Sequence, residues 1–146
     1  MTIEDRAIDS PRERPANHAR QYIESDGAAV DHPAVGSLVL LYTTGRVTGQ
    51  IHRTPLRFWV VGDDLVVAAS AQGADTHPGW YLNLLADPNV WVRRDAVFYE
   101  AAAETIDPAE RDRVWNEIVV LQTPGMADYQ AKTSRSIPLV RLVAKS

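Results

Sequence analysis

Residues 37–42 read Ser-Leu-Val-Leu-Leu-Tyr, a continuous apolar run that suits a strand covered on both faces. Past a loop at 45–50, residues 53–61 read as a second strand, Gly62-Asp63-Asp64 as a tight hairpin turn and 65–69 as the return strand. Two more strands, 90–93 and 97–105, flank Arg94-Asp95, and 138–143 forms the last. Two helices interrupt this series. Asp75 or Thr76 should cap the first, with Pro78 in its first turn, and Asp87-Pro88-Asn89 should end it after Ala86. Asp107-Pro108-Ala109-Glu110 carries cap, N1 proline and N3 glutamate for the second, a capping-box arrangement. That helix should run to about Leu121 and bury Val114, Ile118 and Leu121 on one face, until Thr123-Pro124-Gly125 breaks it. A short irregular or helical segment through Tyr129 then leads to the last strand. Five or six short strands with two inserted helices predict a small β-barrel-like α+β domain. No long strand–helix alternation occurs, and no Gly-x-Gly-x-x-Gly follows a strand, which argues against a Rossmann fold.

The N-terminal part has a different character. Residues 1–15 carry several charges and two prolines with little periodicity, and read as a mobile arm. Residues 17–23 fit a short helix with Asn17 as its cap, and 25–33 a linker. The division is therefore an arm with a short helix at 1–33 and a folded domain at 34–146. The whole chain of 146 residues, 45% apolar, is long enough for one domain with a real core. A net charge of −4 provides no global attraction to nucleic acid or anionic membranes, so any anion must be held by a local basic cluster. The lack of cysteine excludes disulfides, thiolate catalysis and Cys-based metal sites. With no signal-peptide-like or transmembrane-length apolar run, a cytoplasmic protein is expected.

A local basic cluster is present. Gly45 and Gly49 bracket Arg46 and Thr48, and His52, Arg53 and Arg57 follow within the same hairpin. Glycines let backbone N–H groups turn toward an anion, and a hydroxyl and a guanidinium add strong donors. Further along, Trp80 and Asn83 lie one helical turn apart and share a face. Trp80 alone reads as core, whereas Asn83 needs hydrogen-bond partners if buried. His77 has no second ligand at a fitting spacing, so it reads as a first-turn helix residue rather than a metal ligand or general base. His18 and His32 fall in the arm and linker, and no Ser/His/Asp constellation stands out.

Three segments in register carry a resemblance: Thr-Thr-Gly-Arg-x-Thr-Gly (43–49) followed by Thr54-Pro55-Leu56, then Ala68-Ala69-Ser70-x-x-Gly73, then His77-Pro78-x-Trp80-Tyr81-x-Asn83-Leu84. Together with Ile137-Pro138 they make residues 35–142 similar to the deazaflavin-dependent nitroreductases, a family that binds coenzyme F420 in a split β-barrel. The resemblance implies that Gly45, Arg46, Thr48, Gly49, His52 and Arg53 line the phosphate and tail region, that Pro55, Leu56, Ala68, Ala69 and Ser70 face the ring, and that Gly73, Trp80 and Asn83 complete the site. It also matches Tyr129 to a tyrosine that meets the substrate and can supply a proton. Several positions depart from the family pattern. His52 replaces an arginine, Val47 a lysine and Ala71-Gln72 a Lys-Gly pair, which weakens the expected grip on an acidic tail. Thr123 and Met126 stand where the best-known nitroreductases carry tyrosine, so a less aromatic pocket follows.

The implied activity is hydride transfer from reduced F420 to a quinone, enone or nitro compound, by a monomer or homodimer acting on a small molecule. An FMN-dependent split-barrel oxidoreductase is the alternative, as is a non-enzymatic cofactor- or lipid-binding protein of the same fold.

Overall fold

The computed structural model describes residues 2–9, 23 and 38–145. The helix expected at 17–23 (apart from Ile23), the linker at 25–33, His18, His32 and the boundary at 33/34 lie outside the described residues. The described strands are β1 (Ile8–Asp9), β2 (Leu38–Thr44), β3 (Ile51–Arg57), β4 (Trp59–Val61), β5 (Asp64–Ala68), β6 (Asn89–Arg94), β7 (Val97–Thr105) and β8 (Leu139–Ala144). They form one sheet in the order β1-β3-β2-β6-β7-β8-β5-β4. All pairings are antiparallel except β1 with β3.

The expected strand at 53–61 is two strands, because the chain breaks at Phe58 between β3 and β4. The break has a topological purpose. β3 lies next to one edge of the sheet and β4 is the opposite edge, so one run of chain serves both ends and the sheet curls on itself. Alternate residues of five strands consequently meet in a single interior: Val39 and Leu41, Leu65 and Val67, Val90 and Val92, Ala101 and Ala103, Val140 and Leu142. This is a split barrel, as the resemblance implied. The remaining alternate positions of β2, Leu40 and Tyr42, pack on the outside with Ile51, Ile3 and Ala7. The apolar run at 38–42 is thus covered on both faces, as its composition required. Among the described residues β1 pairs only with His52 and Arg53, so no described strand pairs with the outer edge at Pro55, where proline is tolerated.

Residues 2–9 depart from the reading as a mobile arm. Thr2 caps a one-turn helix, α1 (Ile3–Arg6), in a capping box with Asp5. β1 then extends the sheet, and two ion pairs tie the segment down, Asp9 of β1 to Arg53 and Glu4 of α1 to Arg93.

The first inserted helix, α2, is Gly79–Ala86. Its N-cap is Pro78, with no side-chain cap from Asp75 or Thr76, so His77 lies outside the helix rather than in its first turn. Tyr81 and Leu84 insert into the barrel cluster. The second, α3 (Pro108–Val114), is capped by Asp107, whose carboxylate accepts from the Glu110 N–H at 3.2 Å. The Glu110 carboxylate itself pairs with Arg141 at 2.7 Å.

Beyond Val114 the chain takes a π-turn (Trp115–Val119) before a last α-turn (Val120–Gln122). The extra residue rotates the buried face: Val114 and Val119 are both fully buried, whereas Leu121 is 72% exposed. Of the expected face of Val114, Ile118 and Leu121, Val114 is buried and Ile118 packs partly buried beside it, and only Leu121 fails, for that reason. A final helix, α4 (Gly125–Ala131), follows. None of the helices among the described residues is long and apolar enough to cross a membrane.

Candidate functional site

A cleft of about 880 Å³ opens between the β2–β3 hairpin, the end of β5 with the turn after it, and the start of α2. Its volume suits a cofactor-sized ligand. Two walls of different construction face each other.

The first wall is the loop at 45–50. Its neck is closed by Gly45 N–H donating to Gln50 O at 2.7 Å and by Gly49 N–H donating to Gly45 O at 2.9 Å. Gly49 sits at φ +75°, a conformation that side chains disfavour. A Cβ on Gly45 would meet His52 Nε2 at 2.9 Å, so glycine is what lets His52 fold under the loop. Asn83, buried on α2, accepts from the Arg46 backbone N–H at 3.2 Å and from Arg46 Nη1 at 2.7 Å. Its amide nitrogen donates to Thr43 Oγ1 at 3.3 Å. The buried amide therefore finds its partners in the loop, and it fixes the Arg46 guanidinium at the cleft.

Arg53 also lines the cleft, but its Nε and Nη2 donate to both Asp9 oxygens at 2.6 and 2.7 Å. That bond, outweighing burial, holds its pKa above the usual arginine value. Arg53 thus has an internal counter-ion that the sequence did not reveal. Arg57 lies over the Trp59 ring, outside the lining.

The second wall runs from 68 to 78. Ala71, Gln72 and Gly73 follow one another at φ +46°, +55° and +84°. Two of these are not glycine, so the turn stores backbone strain beside the cleft. A Cβ on Gly73 would meet the Tyr129 carbonyl at 2.7 Å. Arg135, from the segment before β8, braces this stretch with donors to Ala69 O, Ser70 O and Ala74 O. Nothing in the sequence had marked Arg135, because its partners are backbone carbonyls more than sixty residues away.

Most of the residues named from the sequence come together here. Gly45, Arg46, Thr48, His52 and Arg53 line the polar end, and Pro55, Leu56, Ala68, Ser70, Trp80 and Asn83 line the rest. Gly49, Ala69 and Gly73 are off the lining: Gly49 shapes the loop, Ala69 is wholly buried in the barrel core, and Gly73 packs against α4. Tyr129 is also off the lining. Its half-buried ring packs against the cluster of Trp59, Val66, Trp115 and Ile137, on the other face of the sheet from the barrel interior, with Lys132 Nζ 5.6 Å from the ring centre. His77, which the sequence reading set aside, does line the cleft.

Comparison with known proteins places the chain in a family. The model of the F420H(2)-dependent quinone reductases matches residues 15–144. The chain belongs to that family.

An F420H(2)-dependent quinone reductase of Mycobacterium tuberculosis (strain ATCC 25618 / H37Rv) is 33% identical over 115 residues, 77% of each chain. A solved F420-H2 dependent reductase, FDR-A, superposes with a TM-score of 0.65 at 32% identity over 73% of this chain and 93% of its own. A structure described as a domain-swapped dimer gives a TM-score of 0.67 at 29% identity, covering 86% of this chain and 95% of that one. A pyridoxamine 5'-phosphate oxidase-like protein of Listeria innocua shares the fold alone, at 14% identity and a TM-score of 0.53.

The coenzyme of this quinone reductase family is F420. The cleft suits it. Arg46 and His52 stand at one end of the cleft, and Pro55, Leu56, Ala68 and Trp80 give it apolar surface.

Proposed function

We propose that this chain binds reduced F420 in the cleft between the 45–53 hairpin and the 68–78 wall, and uses it to reduce a quinone to the quinol. The observation that carries this reading is the pairing of Arg46, fixed by Asn83, with an apolar surface formed by Pro55, Leu56, Ala68 and Trp80 in the same cleft. Reduced F420 supplies a hydride, and the protein supplies position. Arg46 holds the anionic end of the coenzyme, with Thr48 and the His52 ring beside it. Pro55 on β3 and Ala68 at the end of β5 let backbone approach the ring closely, because proline and alanine project little, and Leu56 adds apolar contact. Trp80 covers the cleft from α2.

Quinone reduction takes one hydride and one proton. Tyr129 is placed against the outer core, so the proton comes from solvent reaching the open cleft rather than from that phenol. The same reading takes the enzyme as cytoplasmic, and as a monomer or homodimer; cell fractionation and light scattering test those two points.

Fluorescence titration with F420 and FMN, followed by anaerobic oxidation of F420H2 with a simple naphthoquinone, tests the reading. Tighter F420 binding and quinone-dependent oxidation are expected. Equal or preferred FMN binding, or no oxidation with any quinone, overturns it.

A further inference from the structure

We propose that Arg135 is a positioning residue, and that it presents His77 to the cleft as a neutral hydrogen-bond donor through Nε2–H. The inference rests on the functional reading above for the nature of the ligand, but its geometry stands without it.

Arg135 Nη1 lies 3.2 Å from His77 Nδ1. A guanidinium has five N–H donors, no acceptor, and stays protonated. A hydrogen bond between the two therefore requires Nδ1 to offer its lone pair, which puts the imidazole proton on Nε2. An imidazolium would set an N–H against an N–H and lose the contact. Which ring nitrogen carries the proton is thus decided by the chemistry of the neighbour.

The neighbour is itself firmly held. Arg135 spends its other donors on Ala74 O (2.8 Å), Ser70 O (2.9 Å) and Ala69 O (3.1 Å). Its own carbonyl accepts from Gln130 Nε2 at 2.7 Å, and Gln130 Oε1 in turn accepts from Arg111 Nη2 at 2.7 Å and from the Ile137 N–H at 3.0 Å. Asp75 adds a favourable charge beside the guanidinium. On its other side the His77 ring meets the Tyr81 ring edge-on, centroids 5.0 Å apart at 63°. The imidazole is thus held from two directions while lining the cleft.

What such a group recognises is an oxygen acceptor. Two ligands of the proposed reaction carry one: the coenzyme, through its ring carbonyls and acidic tail, and the quinone, through its carbonyls. A neutral donor serves either without adding net charge, unlike Arg46 across the cleft.

The imidazole nitrogen–proton correlation spectrum of the 15N-labelled protein reads the tautomer directly, with no ligand present. A single neutral form with the proton on Nε2 is expected for His77. Arg135→Lys keeps one donor and should keep that form, whereas Arg135→Met should let the tautomers mix. A proton on Nδ1, or an averaged ring in the wild type, overturns the proposal. His77 is exposed, so His77→Phe preserves the ring shape with little risk to folding. It should raise either the F420 dissociation constant or the quinone KM by about three- to tenfold, with kcat little changed, and His77→Gln should recover most of the loss. The parameter that moves says which ligand His77 meets, and no change in either overturns the donor role. Failure of wild-type protein to bind F420 would instead defeat the functional reading and leave the tautomer result standing.

Discussion

The two walls of the cleft solve one problem in opposite ways. The hairpin wall at 45–53 is built from local signals, namely glycines closing a loop, and is tied to α2 through the buried amide of Asn83 and to β1 through the Arg53–Asp9 pair. The wall at 68–78 is a strained turn whose shape depends on residues far away in the chain, Arg135 and the Tyr129 backbone. The first wall is free to accommodate a change, because its outer glycine faces open space. The second is wedged against α4. A cleft made this way has one adaptable side, which carries Arg46, and one rigid side.

Alanine at the two positive-φ glycines separates the walls most strongly. Gly73→Ala adds a Cβ 2.7 Å from a carbonyl and 3.0 Å from Lys132 Cβ, at φ +84°. It should lower stability by about 3 kcal/mol or more, from steric overlap added to backbone strain. Gly49→Ala, at φ +75° with nothing within 4 Å, should lower it by only about 1 kcal/mol. Equal losses in urea unfolding would erase the contrast.

A pH effect belongs to the outer side of the hairpin wall. The Tyr42 phenol is pushed up to about 12, first by burial and then by the Glu4 carboxylate, while Arg53 and Arg93 pull the other way. Below the ordinary tyrosine value of 10.0 the phenol is protonated in both folded and unfolded chains, and stability is at its full level. Between pH 10 and about 12 only the unfolded chain ionises, so stability should fall across that window by about 2–3 kcal/mol and then level off. Tyr42→Phe should flatten that part of the unfolding curve.

Asn83→Ala tests the tie between the hairpin wall and α2. It removes the shorter of the two acceptors of Arg46 Nη1, leaving Gly79 O at 3.4 Å, and should destabilise the fold by about 1–3 kcal/mol. The F420 dissociation constant should rise as well, because the guanidinium is no longer fixed at the cleft. Unchanged affinity would mean that Arg46 binds its anion equally well when free.

Why one wall was legible and the other was not follows from the same physics. Gly45 and Gly49 announce a tight loop around Arg46 within five residues, and the apolar runs at 38–42 and 65–69 alternate into the barrel as their composition demands. Asn83 was flagged because a buried amide must have partners, although its partners proved to be protein atoms. Arg135 gave no signal, since a cation bonded to carbonyls looks like any surface arginine in a sequence. Leu121 misled because a π-turn shifts the helical face without any residue type that marks it. His77 was set aside for want of a metal partner, when its actual partner was an arginine. The Asp9–Arg53 pair joined two segments whose contact no local pattern encodes.

Relief of strain in the rigid wall gives a smaller and opposite effect. Gln72 sits at φ +55° and ψ +29°, where glycine rests without penalty. Gln72→Gly should raise stability by about 1 kcal/mol and leave the wall in place, because the Arg135 bonds go to other residues. A loss of stability would mean that the Gln72 side chain makes up for the strain.

The smallest expected effect is at Tyr129, and it decides what the rigid wall rests on. The resemblance to the nitroreductases matches this residue to a proton-supplying tyrosine, whereas its ring packs with Trp59 and Trp115 away from the cleft lining. Its backbone carbonyl is the part that meets the wall, at the place where a side chain on Gly73 would stand. Removing the hydroxyl leaves both the ring packing and the carbonyl intact. Tyr129→Phe should therefore keep quinone turnover within about twofold of wild type, where loss of a true general acid lowers it by ~10²–10⁴-fold. Tyr129→Ala, by contrast, removes the ring that seats α4 and should loosen the Ala71–Gly73 turn, raising the F420 dissociation constant with kcat little changed. A large fall in kcat for Tyr129→Phe would restore the phenol as the acid and require the segment at 123–131 to move over the cleft when quinone binds.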